Sequence, residues 1–294
     1  MNYTLESICN NIVFEDVIQS FIKDKFNENQ LYDHFPNPII KENTLDLLDR
    51  FCTVVYFPLE NESNNGFHVN DMPMGEEMKT FVFVNTAQTM EKQVFTAAHE
   101  LGHIWNIDKF ITDKYSDKFD LSEIDSEDLQ ERIINRFAAI LLMPGDIFKR
   151  QFKDEKNKYT EDGRILVDDF LKLIVSLMVY FYAPFKSVIK RMLELKLVSD
   201  SIADTLLVEN DKIPNNKIDN NKIDNRIKEL LESLGGKNFV TPSNKKMIRG
   251  LPELLSKAEE SKSAPANLIL QLRKKFDMTE SDFSEQYNNF IYIS

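Results

Sequence analysis

Residues 94–105 read Val94-Phe95-Thr96-Ala97-Ala98-His99-Glu100-Leu101-Gly102-His103-Ile104-Trp105. Apolar residues fall on nearly every side of this stretch when it is wound at the helical period, so it predicts a helix buried in a core. Two of the chain's four histidines lie inside it, four residues apart. Residues i and i+4 stand one above the other on one helix face, so both imidazoles can reach a single cation at about 2.0–2.1 Å. Glu100 is offset around the helix from both, placed to touch a water on that cation without binding the cation. Polar groups left unpaired in such a helix are costly, so the two histidines are expected to have a partner. Zinc would lower the pKa of the water toward about 7, and Glu100 would take its proton as it attacks a carbonyl.

A third ligand must come from elsewhere, because a catalytic zinc takes three protein groups and keeps a fourth position open. Where longer motifs of this type carry a further glycine and histidine, this chain has Asn106 and Lys109. His34 and His68 lie upstream, and Asp108, Asp113, Asp117, Asp120, Glu123, Asp125, Glu127, Asp128 and Glu131 lie downstream. Glu131 stands out because it opens the apolar run Ile133-Ile134-Asn135-Arg136-Phe137-Ala138-Ala139-Ile140-Leu141-Leu142. A helix there would present Glu131 on one face with Ile134, Ala138 and Leu141, and Asn135 one turn on could orient a ligand.

Working outward, residues 53–57 (TVVYF) predict a strand stopped by Pro58, residues 66–69 a second short strand, and residues 80–85 (TFVFVN) the strongest strand of the chain. Helices are expected near residues 8–22, 45–51 and 92–106, then over 126–142 with Ser126 as N-cap, over 167–182 and over 184–195. Residues 108–125 read as a polar loop. The pentad Asn-Asn-Lys-Ile-Asp occurs in tandem at 215–219 and 220–224. One isoleucine in five matches neither the helical nor the strand period, so residues 206–225 read as a linker. Residues 226–294 are then expected to form a separate helical module of unknown role, and residues 1–205 the main domain.

Phe95-Thr96-Ala97-Ala98-His99-Glu100-Leu101-Gly102-His103, preceded by a strand ending at Asn85, resembles the ImmA/IrrE family of metallopeptidases. Glu131-x-x-Ile134-Asn135-x-Phe137-Ala138, followed by Leu141-Leu142-Met143-Pro144, resembles it too; Ile134 departs from the alanine usual there. The resemblance is strong over residues 66–144, weaker to about 199, and absent beyond about 206. It implies zinc on His99, His103 and Glu131, with Glu100 as general base. It also implies a cytoplasmic endopeptidase whose protein substrate is a DNA-binding, helix-turn-helix repressor. The expected fold is therefore α+β: a small antiparallel three-stranded sheet packed on a helical, zincin-like core, followed by the all-helical C-terminal module. Residues 80–85 would lie beside the active-site helix, and as an edge strand could pair with an extended peptide through Val82, Val84 and Asn85. Tyr115 and His68 are candidates to stabilise an oxyanion. Residues 180–198 resemble the helix-turn-helix-like pair that closes many such domains; their apolar residues suit packing.

Composition narrows the alternatives. Thirty-six basic against 48 acidic side chains leave a net charge of -12, which disfavours direct nucleic-acid binding. Cys9 and Cys52 are the only cysteines, too few for a disulfide framework. The N-terminal residues carry Glu6, Glu15 and Asp16 where a signal peptide would be apolar. The most apolar window, residues 173–185, falls short of the about 20 residues a bilayer span needs, so no membrane association is expected. A cytoplasmic protein follows. The competing reading is a catalytically silent metal-binding or interaction module, acting as a toxin or regulator through its C-terminal part.

Overall fold

The computed structural model describes residues 12–60, 64–74, 77–115, 126–160, 164–207, 220–234 and 236–278. The start of the first expected helix, residues 116–125 of the expected loop, residues 208–219 of the linker and the end of the chain lie outside that set. Contacts group the described residues into two units. One takes the residues up to Leu48 and Thr89–Pro242; the other takes Asp49–Gln88 and the residues from Ser243 on. The division therefore does not follow the linear order of a 1–205 domain, a linker and a 226–294 module.

The second unit is built on a four-stranded sheet, β1 (Thr53–Phe57), β2 (Gly66–Met74), β3 (Glu77–Asn85) and β4 (Met247–Ile248), in the order β2-β3-β1-β4. β2 and β3 pair antiparallel from Gly66↔Val84 to Met74↔Glu77, with a bulge between Val69 and Met72. β1 and β3 pair parallel, Thr53↔Phe81 through Phe57↔Asn85, and β4 joins β1 antiparallel. The expected three-stranded antiparallel sheet is thus a mixed sheet of four. β3 inserts between its two predecessors instead of extending a meander, and the two-residue strand Met247–Ile248, far downstream, completes the set. Alternation along the strands gives the sheet two faces. Val55, Phe57, Phe81, Phe83 and Ile248 pack with Leu251, Leu255 and Ile269 of helices α11 (Leu251–Glu260) and α12 (Ala266–Lys275) and with Phe276, which caps α12. Val54, Tyr56, Val82 and Val84 occupy the other face and are buried. The C-terminal helices are therefore one cover of the sheet and not a module of their own.

The first unit is helical: α1 (Ile12–Glu28), α2 (Asn43–Leu48), α3 (Met90–Trp105), α4 (Ile107–Tyr115), α5 (Ser126–Leu142), α6 (Gly145–Tyr159), α7 (Val167–Phe181), α8 (Phe185–Glu194), α9 (Asp200–Leu207) and α10 (Asn220–Ser233). Helix α4 corrects the expected loop over 108–125, and α10 begins inside the expected linker at the second pentad. Helix α3 packs on α2, α4 and α5, and α5 also on α1. Trp105 meets Phe137 edge-on at 5.8 Å and Phe26 at 6.3 Å, while Phe21 meets Phe110 at 4.8 Å. Farther along, Phe148 stacks on Phe181 at 5.2 Å. Ile227, Leu230 and Leu231 of α10 are buried, and Arg226 grips Asp168 of α7 with two bonds of 2.6 and 3.0 Å. Among the described residues no single helix is long and apolar enough to cross a membrane. The most apolar segment is core: α7 buries seven of its residues, Phe181 among them. Val188, Ile189 and Met192 of α8 are wholly buried, in keeping with a packing role for the 180–198 pair.

Candidate metal centre

Helix α3 carries His99 and His103 on one stripe and is held by its buried residues Val94, Ala97, Ala98 and Leu101. It ends where Asn106 turns left-handed (φ 55°) and returns its N–H to His103 O at 3.0 Å. Asparagine is the side chain that most readily replaces glycine in such a cap. The residue standing where longer motifs have glycine thus does the glycine's conformational work.

The facing helix α5 comes unusually close at Gly102. A Cβ there would lie 2.9 Å from Phe137 Cδ1 and 3.0 Å from Ile134 Cγ2, well inside ordinary carbon–carbon contact of about 3.5–4.0 Å. Ile134, the departure from the family's alanine, is accommodated by the bare Cα of Gly102 and is fully buried. This approach brings the first turns of α5 over the histidine stripe.

Three groups converge there. His99 Nε2 and His103 Nε2 lie 3.2 Å apart. Glu131 presents one carboxylate oxygen to each, Oε2 at 3.3 Å from His99 and Oε1 at 3.4 Å from His103. A cation with bonds of about 2.0–2.1 Å in tetrahedral geometry spaces its ligand atoms about 3.3–3.4 Å apart, close to the spacing of the two imidazole nitrogens and of each from its nearest carboxylate oxygen. His99 Nδ1 lies 3.1 Å from Asn135 Oδ1. An amide oxygen only accepts, so Nδ1 carries the proton and donates, which leaves the Nε2 lone pair aimed at the triangle. A proton could satisfy one pair of these three groups at a time; a divalent cation would satisfy all three. The donor set, two imidazoles and a carboxylate, is one that suits zinc. Both histidines are mostly buried, while 44% of the Glu131 side chain is exposed, so one side of the triangle stays open. Glu100, between the two histidines in sequence, is buried.

The remaining candidates are not members of this His99–His103–Glu131 group. His34 follows the short 3-10 turn Leu31–Asp33, is exposed and is not part of the triangle. Asp108 is buried and accepts from Gln130 Nε2 at 2.9 Å, a tie between α4 and α5. Tyr115 ends α4, with its side chain outside the described set, and His68 lies on β2 of the second unit. The expected peptide-binding edge of β3 is overturned, because β3 has a strand on each side and its backbone is taken up by both ladders. Val82 and Val84 are wholly buried. Asn85 is scaffold: its Oδ1 accepts from Leu59 N at 2.9 Å and Ala87 N at 3.0 Å, and its Nδ2 donates to Asn64 O at 2.6 Å.

Sequence reasoning missed a charge cluster made of the buried Glu15, Arg136 and Arg191 and the half-buried Glu194. A charged residue within an apolar run, Arg136, was the available signal. It also missed Glu91, buried in the first turn of α3, whose Oε1 accepts from Thr89 Oγ1 at 2.6 Å. Burial pushes the Glu91 carboxyl above the usual carboxylate range.

No curated protein matches the chain. The family model of the IrrE N-terminal-like domain, a peptidase family, matches residues 50–193, from just before β1 into α8, and so includes both metal-site helices. Residues 50–193 thus carry a metallopeptidase-like domain of the kind found in the ImmA/IrrE family.

Proposed function

We propose that the protein is a zinc-dependent endopeptidase in which His99, His103 and Glu131 hold the metal, Glu100 is the general base and Asn135 orients His99. The observation that carries this reading is the convergence of two imidazole nitrogens and a carboxylate, the nitrogens 3.2 Å apart and each within 3.4 Å of a Glu131 oxygen. Zinc bound there would supply Lewis acidity, polarising the scissile carbonyl and lowering the pKa of a water molecule. The protein's own groups do the rest. Glu100 accepts the water's proton and can return it to the leaving amine. Burial of Glu100 between the ligands keeps this carboxylate from competing solvent, and the proton on His99 Nδ1, held by Asn135, keeps Nε2 available to the metal. The open side at Glu131 is where a peptide would enter. The family resemblance carries the finer expectation that the substrate is a DNA-binding repressor and that the enzyme acts in the cytoplasm.

Glu100→Gln tests the reading. This variant keeps size and polarity but cannot take a proton, so it should retain one zinc per chain and lose cleavage of a co-expressed repressor by at least about a hundred-fold. Undiminished cleavage would refute the role of Glu100. Purified wild-type protein without zinc at neutral pH would refute the metal.

A further inference from the structure

Helices α1, α5 and α8 share a cluster of two arginines and two glutamates, buried except for the half-buried Glu194. Arg191 of α8, which is wholly buried, forms a two-pronged pair with Glu15 of α1: Nη2 to Oε1 at 2.5 Å and Nη1 to Oε2 at 3.0 Å. Its Nη1 also reaches Glu194 Oε2 at 3.2 Å, and its Nε donates to the carbonyl of Met143 at 3.0 Å. Arg136 of α5 pairs with Glu194 and stands 3.7 Å from Glu15. Gly145 is pressed against the cluster, where a Cβ would clash with Glu15 Oε1. The charges balance, yet taking four ions out of water is costly, and apolar side chains of similar size would pack as well. Stability alone therefore does not explain the cluster.

Its contacts on α5 do. Arg136 is the residue next to Asn135, and Met143 is seven residues on, almost exactly two helical turns, so both lie on one side of α5. Arg191 sits at the C-terminal end of α5, where a cation meets the free carbonyls and the negative end of the helix dipole. Apolar packing against α3 tolerates small rotations of a helix; paired guanidinium–carboxylate bonds do not. A side chain about 6 Å from a helix axis moves about 1 Å when the helix turns by about 10°, whereas metal–ligand distances tolerate only about 0.2 Å. We propose that the Glu15–Arg136–Arg191–Glu194 cluster fixes the rotation and axial register of α5 and thereby positions Glu131 and Asn135 for the metal. Arg136 and Arg191 are positioning residues, and the inference rests on the zinc site proposed above.

The test separates positioning from stability. In Arg136→Met/Glu194→Leu both partners go together, Arg191 keeps Glu15, and no charge is left alone in the core, so the protein should stay folded with an undiminished Tm. Zinc Kd, read by competition with a chromophoric chelator, should rise at least ten-fold, and the visible spectrum of the Co2+-substituted protein should change. Glu194→Gln, nearly isosteric, should weaken zinc binding in the same direction and serves if the double variant does not fold. Arg226→Ala, which breaks a charge pair remote from α5, should leave zinc Kd within two-fold of wild type. A folded double variant or Glu194→Gln with wild-type zinc Kd and cobalt spectrum overturns the positioning role alone. Failure of the wild-type protein to bind zinc overturns the metallopeptidase reading and this inference with it.

Discussion

Gly102→Ala probes the contact that makes the site. Within an exposed helix the change would stabilise by about 0.5–1 kcal/mol, because glycine loses more backbone freedom on folding. Here the added methyl meets Phe137 at 2.9 Å and Ile134 at 3.0 Å, and both of these side chains are fully buried. The shortfall against ordinary carbon contact is about 0.6 Å or more, and neither neighbour has open space to move into. Overpacking of this kind costs about 1–3 kcal/mol, so the balance is a net loss near 1 kcal/mol, or a few degrees in Tm for a chain of this size. The larger effect should be on the metal. Helices α3 and α5 supply ligands from opposite sides of the contact, so a separation of several tenths of an ångström exceeds what metal–ligand distances allow. Zinc affinity by chelator competition should fall at least ten-fold, about 1.4 kcal/mol. Adding Ile134→Ala to Gly102→Ala removes the second close contact and should recover part of that affinity, while its own cavity costs about 2–5 kcal/mol of stability. A Gly102→Ala protein with raised Tm and wild-type zinc affinity would show that the close approach does not set the site's geometry.

Chelation of zinc should lower Tm, since a ligand held at a hundred times its Kd adds about 2.7 kcal/mol to the folded state; calorimetry with and without chelator, and an unchanged Tm in Glu131→Ala, checks it. Asn135→Ala should weaken zinc binding by about 10–100-fold while leaving the fold intact by circular dichroism. Asp168 is held down to about 2, first by its bonds to Arg226. A depressed carboxylate stabilises above its ordinary pKa and loses that contribution as pH falls through the folded value. The Tm difference between wild type and Arg226→Ala should accordingly be constant above about pH 5 and vanish as the pH approaches 2; a difference that persists in acid would contradict the pairing. Glu91 has the opposite sign. Its raised pKa, caused chiefly by burial, makes the folded state lose stability as pH rises through it. Glu91→Gln should therefore be more stable than wild type at neutral pH and indistinguishable in acid, measured by urea midpoints.

Much of the site was legible because its parts are local. His99, Glu100 and His103 share one helical turn, and their proposed roles follow from the i, i+4 rule applied to a helix apolar on nearly all sides. Glu131 and Asn135 were harder, since the choice of Glu131 from nine downstream carboxylates, and of Asn135 one turn after it, leaned on the apolar run there and on a family likeness. The long elements with clean periods, α5 and β1, were read with the bounds they have. Helix α4 was read as a loop because its polar residues outnumber its apolar ones, and only burial of Ile107 and Ile111 against neighbours favours a helix there.

Sequence alone settled what could bind the metal: residue types at helical spacing dictate which atoms can share a cation, and no long-range contact is needed for that. Strand order, the recruitment of Met247–Ile248 into the sheet and the covering of that sheet by α11 and α12 depend on pairings between residues far apart in the chain, to which periodicity is blind. The same holds for the closeness of α3 and α5 at Gly102 and for the ions that hold α5 in register. These are properties of packed surfaces meeting in space, where a missing methyl group or a buried arginine acquires its meaning from what lies against it.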